Sequence, residues 1–179
     1  GKERILYSEE AIKERVGEMG KAIDAYYNGK EVLVIGLLRG SFVFCSDLVR
    51  AMESKMEIDF MTTSSYEDEF SSSGDVKLFS DLRADVKGRD VLIVDDIIDT
   101  GHTLETVVKS IRALEPASVK TAVMLDKPSR REVDFSADFT GFTIDDVFIV
   151  GYGLNYGPYY RNKPYIYTCL LYTSPSPRD

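Results

Sequence analysis

Four aliphatic residues run straight into carboxylates at Val91-Leu92-Ile93-Val94-Asp95-Asp96-Ile97-Ile98-Asp99, and Thr100-Gly101-His102-Thr103-Leu104 follows without a break. A short continuous apolar run of this kind reads as a strand buried on both faces. The Thr-Gly-x-Thr turn then opens a helix. This strand–turn–helix unit steers the chain toward a layered α/β architecture, in which ligands bind beyond the carboxyl ends of the strands. It also collects three carboxylates, bare backbone N–H groups and a helix N-terminus in one crevice. The amides suit a phosphate monoester, and Gly101 lets the backbone approach it closely. Asp95 and Asp96 suit sugar hydroxyls, or a Mg²⁺ held through waters. A phosphorylated sugar fits all of these groups together.

The rest of the chain repeats the alternation. Ser8 caps a helix from Glu9 whose apolar stripe is Ile12, Val16, Met19, Ile23 and Tyr26, and Asn28-Gly29 stops it. Val32 to Leu38 is a second buried strand. Arg39-Gly40-Ser41 turns it into a helix with Phe42, Cys45, Leu48, Val49 and Met52 on its inner face. Met56, Ile58 and Phe60 alternate with polar residues and predict a strand half-buried on one face. Ser64 to Asp75 holds five serines and four acids without apolar periodicity, which predicts a long loop able to serve as a lid. Val76 and Leu78 suggest a short returning strand. The helix from Thr103 carries Leu104, Val107, Val108, Ile111 and Leu114 and ends at Pro116. Val119 to Leu125 and Phe148 to Val150 complete the strands. Arg39, Asp95, Asp96, Lys127 and Gly151 all fall just past predicted strand ends, where a parallel sheet places its ligands.

The 179 residues suit one domain, and 44% hydrophobic content is enough to bury a core. A net charge of −8 argues against general nucleic-acid binding. No apolar run reaches the roughly 20 residues needed to cross a bilayer, and Gly1 to Ile5 is not signal-like. Cys45 and Cys169 form neither a metal-ligand cluster nor a disulfide framework. A cytoplasmic, enzyme-sized domain is expected over residues 1–166. Thr173-Ser174-Pro175-Ser176-Pro177 has no core-forming character, so 167–179 is expected to be a non-native or disordered tail.

The Asp95–Thr103 segment resembles the 5-phosphoribosyl-1-pyrophosphate (PRPP) signature of the type I phosphoribosyltransferases. Leu37-Leu38-Arg39-Gly40-Ser41-Phe42, Asp59-Phe60-Met61, Ser64-Ser65-Tyr66, Leu125-Asp126-Lys127-Pro128-Ser129-Arg130-Arg131 and Val150-Gly151-Tyr152-Gly153 look like the bacterial hypoxanthine–guanine phosphoribosyltransferases, in chain order from about Ile5 to Ile166. The resemblance implies a central, mainly parallel sheet with helices on both faces and a small hood built from both ends of the domain. It implies purine salvage by Mg²⁺-dependent transfer of phosphoribosyl from PRPP to hypoxanthine or guanine. The products would be IMP or GMP and pyrophosphate. It also implies a cytoplasmic homodimer or homotetramer with no nucleic-acid or membrane partner.

Residue by residue, the resemblance makes Asp99 the general base and gives the ribose hydroxyls to Asp95 and Asp96. Asp99, Thr100, Gly101, His102 and Thr103 match the 5′-phosphate loop. Arg39-Gly40 matches the pyrophosphate loop, which in the family follows a non-proline cis peptide, and Arg161 matches a second pyrophosphate contact. Lys127 matches the donor to the purine 6-oxo group, which argues against adenine. Phe148 matches a stacking ring, and Ile149 matches backbone contacts to the base. Ser65 and Tyr66 open the mobile loop. Asp95, Asp96 and Asn155 match the metal positions.

Three residues depart from the family pattern. Asn155 stands where most relatives carry an aspartate, and a neutral amide is a poorer ligand for a hard cation, so the second metal site is expected to be weak. Asp95 replaces a longer glutamate. His102, the only histidine, is expected to act through its backbone N–H. Two other readings compete. A receiver domain shares the strand and acidic pair, but would place them near its N-terminus. An RNA-binding regulator on the same fold would need Lys127-Pro128-Ser129-Arg130-Arg131 as its basic patch.

Overall fold

The computed structural model describes residues 3–65, 76–79 and 82–169. Its centre is a six-stranded sheet in the order β4-β3-β2-β5-β6-β7. The strands are β2 (Val32–Leu38), β3 (Met56–Ser65), β4 (Val76–Phe79), β5 (Asp90–Ile98), β6 (Ser118–Asp126) and β7 (Phe139–Thr143). β3, β2, β5, β6 and β7 run parallel, and β4 pairs antiparallel with β3 at the edge.

Alternation along the central strands builds two cores. Val32, Val34, Leu92 and Val94 point to the face covered by α1 (Glu9–Tyr27) and α2 (Phe42–Arg50). Leu33, Ile35, Leu37, Val91 and Ile93 point to the other face, against Leu104, Val107 and Ile111 of α3 (His102–Arg112). From β2 the chain passes through α2 to β3 on one side, then returns to β5 on the other. The strand order therefore reverses between β2 and β5, and the carboxyl ends of these two strands open a crevice there.

A second sheet, in the order β1-β9-β8, joins β1 (Glu3–Tyr7), β9 (Ile166–Cys169) and β8 (Ile149–Val150) in antiparallel pairs. It corresponds to the hood expected from both ends of the domain.

Several local expectations shift. The α1 stripe ends on Tyr27, at 2% exposure, because it lies one helical step of four beyond Ile23, and Tyr26 is half exposed. In α2 the inner face is Phe44, Cys45 and Leu48, with Met52 buried just beyond the helix, while Phe42 in the first turn stays exposed. β3 continues through Ser65, two residues into the expected loop. Its Ile58 and Phe60 are exposed and Met61, on the opposite face, is buried. α2 packs over β2 and β5 and leaves that flank of β3 open. Leu114 lies beyond the end of α3 and is exposed, with the chain leaving the helix through Glu115 at φ 63°.

β7 has no counterpart among the expected strands. Gly141 inside it hides the strand pattern, yet a Cβ there would collide with the Met124 carbonyl of β6. Phe148-Ile149-Val150 contributes to the hood and not to the main sheet. The expected tail boundary moves as well, because Tyr167, Thr168 and Cys169 belong to β9 and pair with β1. Residues 170–179 and most of the expected lid, including Tyr66, lie outside the described residues. No described helix is long and apolar enough to cross a membrane.

Candidate functional site

The crevice at the reversal point is a cavity of about 610 Å³. Leu37, Leu38, Arg39 and Gly40 line it from the end of β2, and Asp95 through Gly101 with Thr103 from the end of β5. Asn155 and Arg161 enter from the segment after β8. Ten sequence-predicted positions therefore meet in one space: Arg39, Gly40, Asp95, Asp96, Asp99, Thr100, Gly101, Thr103, Asn155 and Arg161.

The carboxylates are held by their own turn. Asp95 accepts the Asp96 N–H at 2.8 Å, Asp96 accepts the Ile97 N–H at 2.7 Å, and Asp99 accepts the Thr100 N–H at 2.5 Å. Burial raises the pKa of Asp95 well above the usual carboxylate range, and the charges of Asp96 and Asp99 push in the same direction. Gly101 opens α3 at φ 91°. A Cβ there would meet Val133 at 2.9 Å and Arg131 at 3.0 Å, so the turn rests directly on the segment after β6. The first turn of α3 presents its N–H groups at this end, where the helix dipole favours an anion.

The β2 loop closes on the acidic strand end. The Leu38–Arg39 peptide is cis, as the family resemblance implied. A Cβ on Gly40 would run into the Asp96 carboxylate, so only glycine allows the two loops to touch. Arg161 is fixed by a 2.7 Å bond from Nη1 to the Gly153 carbonyl. Burial lowers its pKa and the nearby Arg39 adds to this, while Asp96 opposes both. Two guanidinium groups and a carboxylate thus share one end of the cavity. Tyr152 anchors this segment to α2 through a 2.6 Å bond from its hydroxyl to Asp47.

Lys127, Phe148 and Ile149 do not line this cavity. The Lys127 N–H reaches the carbonyl of Ile98 at 2.9 Å, and its ammonium, nearly buried, lies 3.6 Å from Asp146. The Phe148 ring meets Tyr156 edge-on at 5.5 Å. The Ile149 side chain is wholly buried in the core, so only its backbone is left for a ligand. His102 is not among the lining residues, and its Nε2 lies 2.9 Å from Glu132. Ser65 ends β3, and nothing is described of its side chain.

Sequence reasoning missed Thr62 and Thr63, which line the cavity beside Leu38, the β2 partner of Thr62. Their β-branched run after Phe60 carried the signal. It also missed Asp146, which pairs with Arg130 at 3.8 Å as well as with Lys127. Arg131 pairs with Asp126 at 2.8 Å. The basic cluster that an RNA-binding regulator would need is thereby matched by acids.

The model of the phosphoribosyl transferase domain matches residues 4–157. A hypoxanthine phosphoribosyltransferase of Salmonella typhimurium is 48% identical over 93% of this chain and 95% of its own length. The chain belongs to the hypoxanthine phosphoribosyltransferase family. A crystal structure of a hypoxanthine-guanine phosphoribosyltransferase from Bacillus anthracis superposes with a TM-score of 0.89, at 41% identity, over 93% of this chain and 98% of that one. A hypoxanthine phosphoribosyltransferase of Trypanosoma cruzi, a lysine-to-arginine mutant complexed with the product IMP, gives 0.86 at 39% identity, over 92% and 88%. This family member therefore is an enzyme of purine salvage with the family's parallel sheet.

The raised pKa of Asp95 has a cost in the ligand-free enzyme. A carboxyl whose pKa is higher folded than unfolded binds its proton better in the native state. Its contribution is therefore lost as pH rises from about 4, the unfolded value, through the folded value. Asp95→Asn is expected to stabilise the metal-free protein at pH 7, with the gain vanishing near pH 4. Urea unfolding at both pH values checks this, and a variant no more stable than the parent at pH 7 refutes it.

Proposed function

We propose that this enzyme transfers the 5-phosphoribosyl group of PRPP to a 6-oxopurine, hypoxanthine or guanine, giving IMP or GMP and pyrophosphate. The observation that carries the reading is the meeting of three sets of groups in one cavity: the Asp99–Thr103 turn, the Asp95–Asp96 pair, and the Arg39–Gly40 and Arg161 cluster. Their chemistry matches the 5′-phosphate, the ribose hydroxyls and the pyrophosphate of one substrate. The IMP held by the Trypanosoma cruzi relative agrees with this choice of product.

In this reading the purine N9 forms a bond to C1′ of the ribose as the bond from C1′ to the pyrophosphate oxygen breaks. Asp99 holds the proton at N7 as the bond forms. The amides and hydroxyls from Thr100 to Thr103 seat the 5′-phosphate, with His102 contributing its N–H. Arg39 and Arg161 stabilise the charge that builds on the leaving pyrophosphate. Lys127 donates to the 6-oxo oxygen, Phe148 stacks on the base, and the Ile149 backbone meets its edge. Ser65 and Tyr66 begin the segment that closes the site against water. A cytoplasmic setting fits the buried, free Cys45 thiol, whose pKa burial raises to about 11.

Mg²⁺ fits the donor set. Asp95 and Asp96 are adjacent carboxylates in the cavity, and the raised pKa of Asp95 marks a charge that a cation would relieve. When bound, the ion would neutralise phosphate charge. Asn155, which also lines the cavity, has a neutral amide oxygen, and its Nδ2 is already committed to the Gly157 carbonyl at 2.8 Å.

We also propose a homodimer as the minimal assembly. Ile58 and Phe60, on the α1–α2 side of β3, and Phe42 at the start of α2 are exposed apolar residues on one side of the sheet.

Three measurements test these readings. Nucleotide formation from PRPP and Mg²⁺ is expected with hypoxanthine and guanine but not adenine, and Asp99→Asn should lower kcat roughly 10²–10⁴-fold. Turnover of adenine, or an unaffected Asn variant, would refute the assignment. In a Mg²⁺ titration, Asn155→Asp should reach half-maximal activity at a several-fold lower concentration; equal midpoints would remove the idea of a weakened site. In sedimentation velocity the parent should run as a dimer or tetramer and Phe60→Asp as a smaller species. An unchanged distribution would move the interface elsewhere.

A further inference from the structure

The segment after β6 and the turn after β5 are stitched together by contacts that the roles above do not use. The Lys127 N–H donates to the Ile98 carbonyl and the Glu132 N–H to the Thr100 carbonyl, both at 2.9 Å. Between these two bonds lies the Arg131 guanidinium. Its Nη1 donates to the Asp99 carbonyl at 2.9 Å and reaches the Lys127 carbonyl at 3.5 Å. Its Nε donates to the Phe135 carbonyl at 2.7 Å, and its Nη2 to the Asp126 carboxylate at 2.8 Å. The Arg131 and Asp126 side chains are each only 16% exposed. Gly101 packs against the Arg131 stem, and His102 with Glu132 closes the outer rim.

We propose that Arg131 is a positioning residue for phosphoribosyl transfer, holding Asp99 and Lys127 in register so that both address one purine. The inference rests on the roles assigned above to Asp99 and Lys127. N7 and the 6-oxo oxygen lie on the same edge of the purine ring, so the two side chains must keep a fixed separation. They come from different strand ends, and the guanidinium binds the backbone carbonyls of both residues. A misplacement of about 1 Å costs up to about 10²-fold in rate. Arginine suits this task because its planar fork carries five donors in fixed directions, which a lysine ammonium does not reproduce. The buried Asp126 carboxylate supplies the countercharge.

The test compares kinetics per folded molecule for the parent, Arg131→Met, Arg131→Lys, Lys127→Met and Arg15→Met. Arg15 is the control for a purely structural arginine, because it also binds two backbone carbonyls, Thr140 at 2.8 Å and Gly141 at 2.7 Å, on β7 away from the cavity. Arg131→Met and Arg131→Lys are both expected to lose about 10- to 100-fold in kcat with hypoxanthine. Arg15→Met should lower the melting temperature but keep kcat and KM within twofold. If Arg131→Met keeps kcat and both KM values within twofold, or if Arg131→Lys restores the parent kcat, the proposal is overturned. Should Arg131→Met not fold, Asp126→Ala removes the carboxylate that accepts from Nη2, which an asparagine would keep through its amide oxygen. A several-fold lower kcat in that variant supports the proposal, and an unchanged one overturns it. An inactive parent, or an unchanged purine KM in Lys127→Met, would instead refute the underlying site assignment, and the proposal with it.

Discussion

Three carboxylates crowded at the end of one buried strand are the constraint that the rest of the site answers. Asp95 and Asp96 are brought to the edge of solvent by β5, whose preceding residues Val91 to Val94 are wholly buried. Charge placed there repels itself and is poorly hydrated, as the raised pKa of Asp95 records. The surrounding structure gives the pair backbone N–H groups, brings Arg39 and Arg161 to the same cavity, and leaves room for a ligand to complete the charge balance.

The fold makes that crowding possible by placing the strand end at the point where the sheet order reverses. Among the described residues no crossover helix covers the carboxyl ends of β2 and β5, so the loops after both strands are free to face each other. How closely they can meet then depends on a single atom. Gly40 has no Cβ, and the Asp96 carboxylate occupies the space a Cβ would need. Gly153 in turn packs on the Gly40 carbonyl, which brings the Arg161 segment down onto the same loop. Two glycines thus let the loop after β2, the end of β5 and the Arg161 segment approach one another around one cavity.

What was legible in the sequence follows from the range of the forces involved. The Val91–Leu104 unit, the helix from Glu9 and the parallel sheet are written in local periodicity, and they appear in the structure close to where the pattern placed them. The errors of one or two residues, Tyr26 for Tyr27 and Phe42 for Phe44, arise because adjacent helix positions differ by about 100° and an apolar stripe is about that wide. β7 was hidden because its central Gly141 answers to a neighbouring strand and not to its own segment. Most of the polar cavity residues could be named in advance because they sit in compact motifs, whereas Thr62 and Thr63 were not. Asp146, Asp47 and Asp126 could not, because each acts as a partner across the fold, and isolated acids in an acidic chain carry no signal of what they will meet.

The same distinction explains why the purine side of the site is less apparent than the phosphate side. The residues proposed for the phosphate, Asp99, Thr100, Gly101 and Thr103, lie on one turn and line one cavity, so a compact motif carries them. The residues proposed for the base are divided between Lys127 after β6 and Phe148 and Ile149 entering β8, which the hood strands hold in place. Thr168 of β9 donates to the Phe148 carbonyl at 2.6 Å, and β9 pairs with β1. The first and last described strands of the chain therefore fix the position of Phe148 and Ile149. These two proposed base-binding residues thus depend on strands from both ends of the described fold, although neither strand carries a recognisable signature.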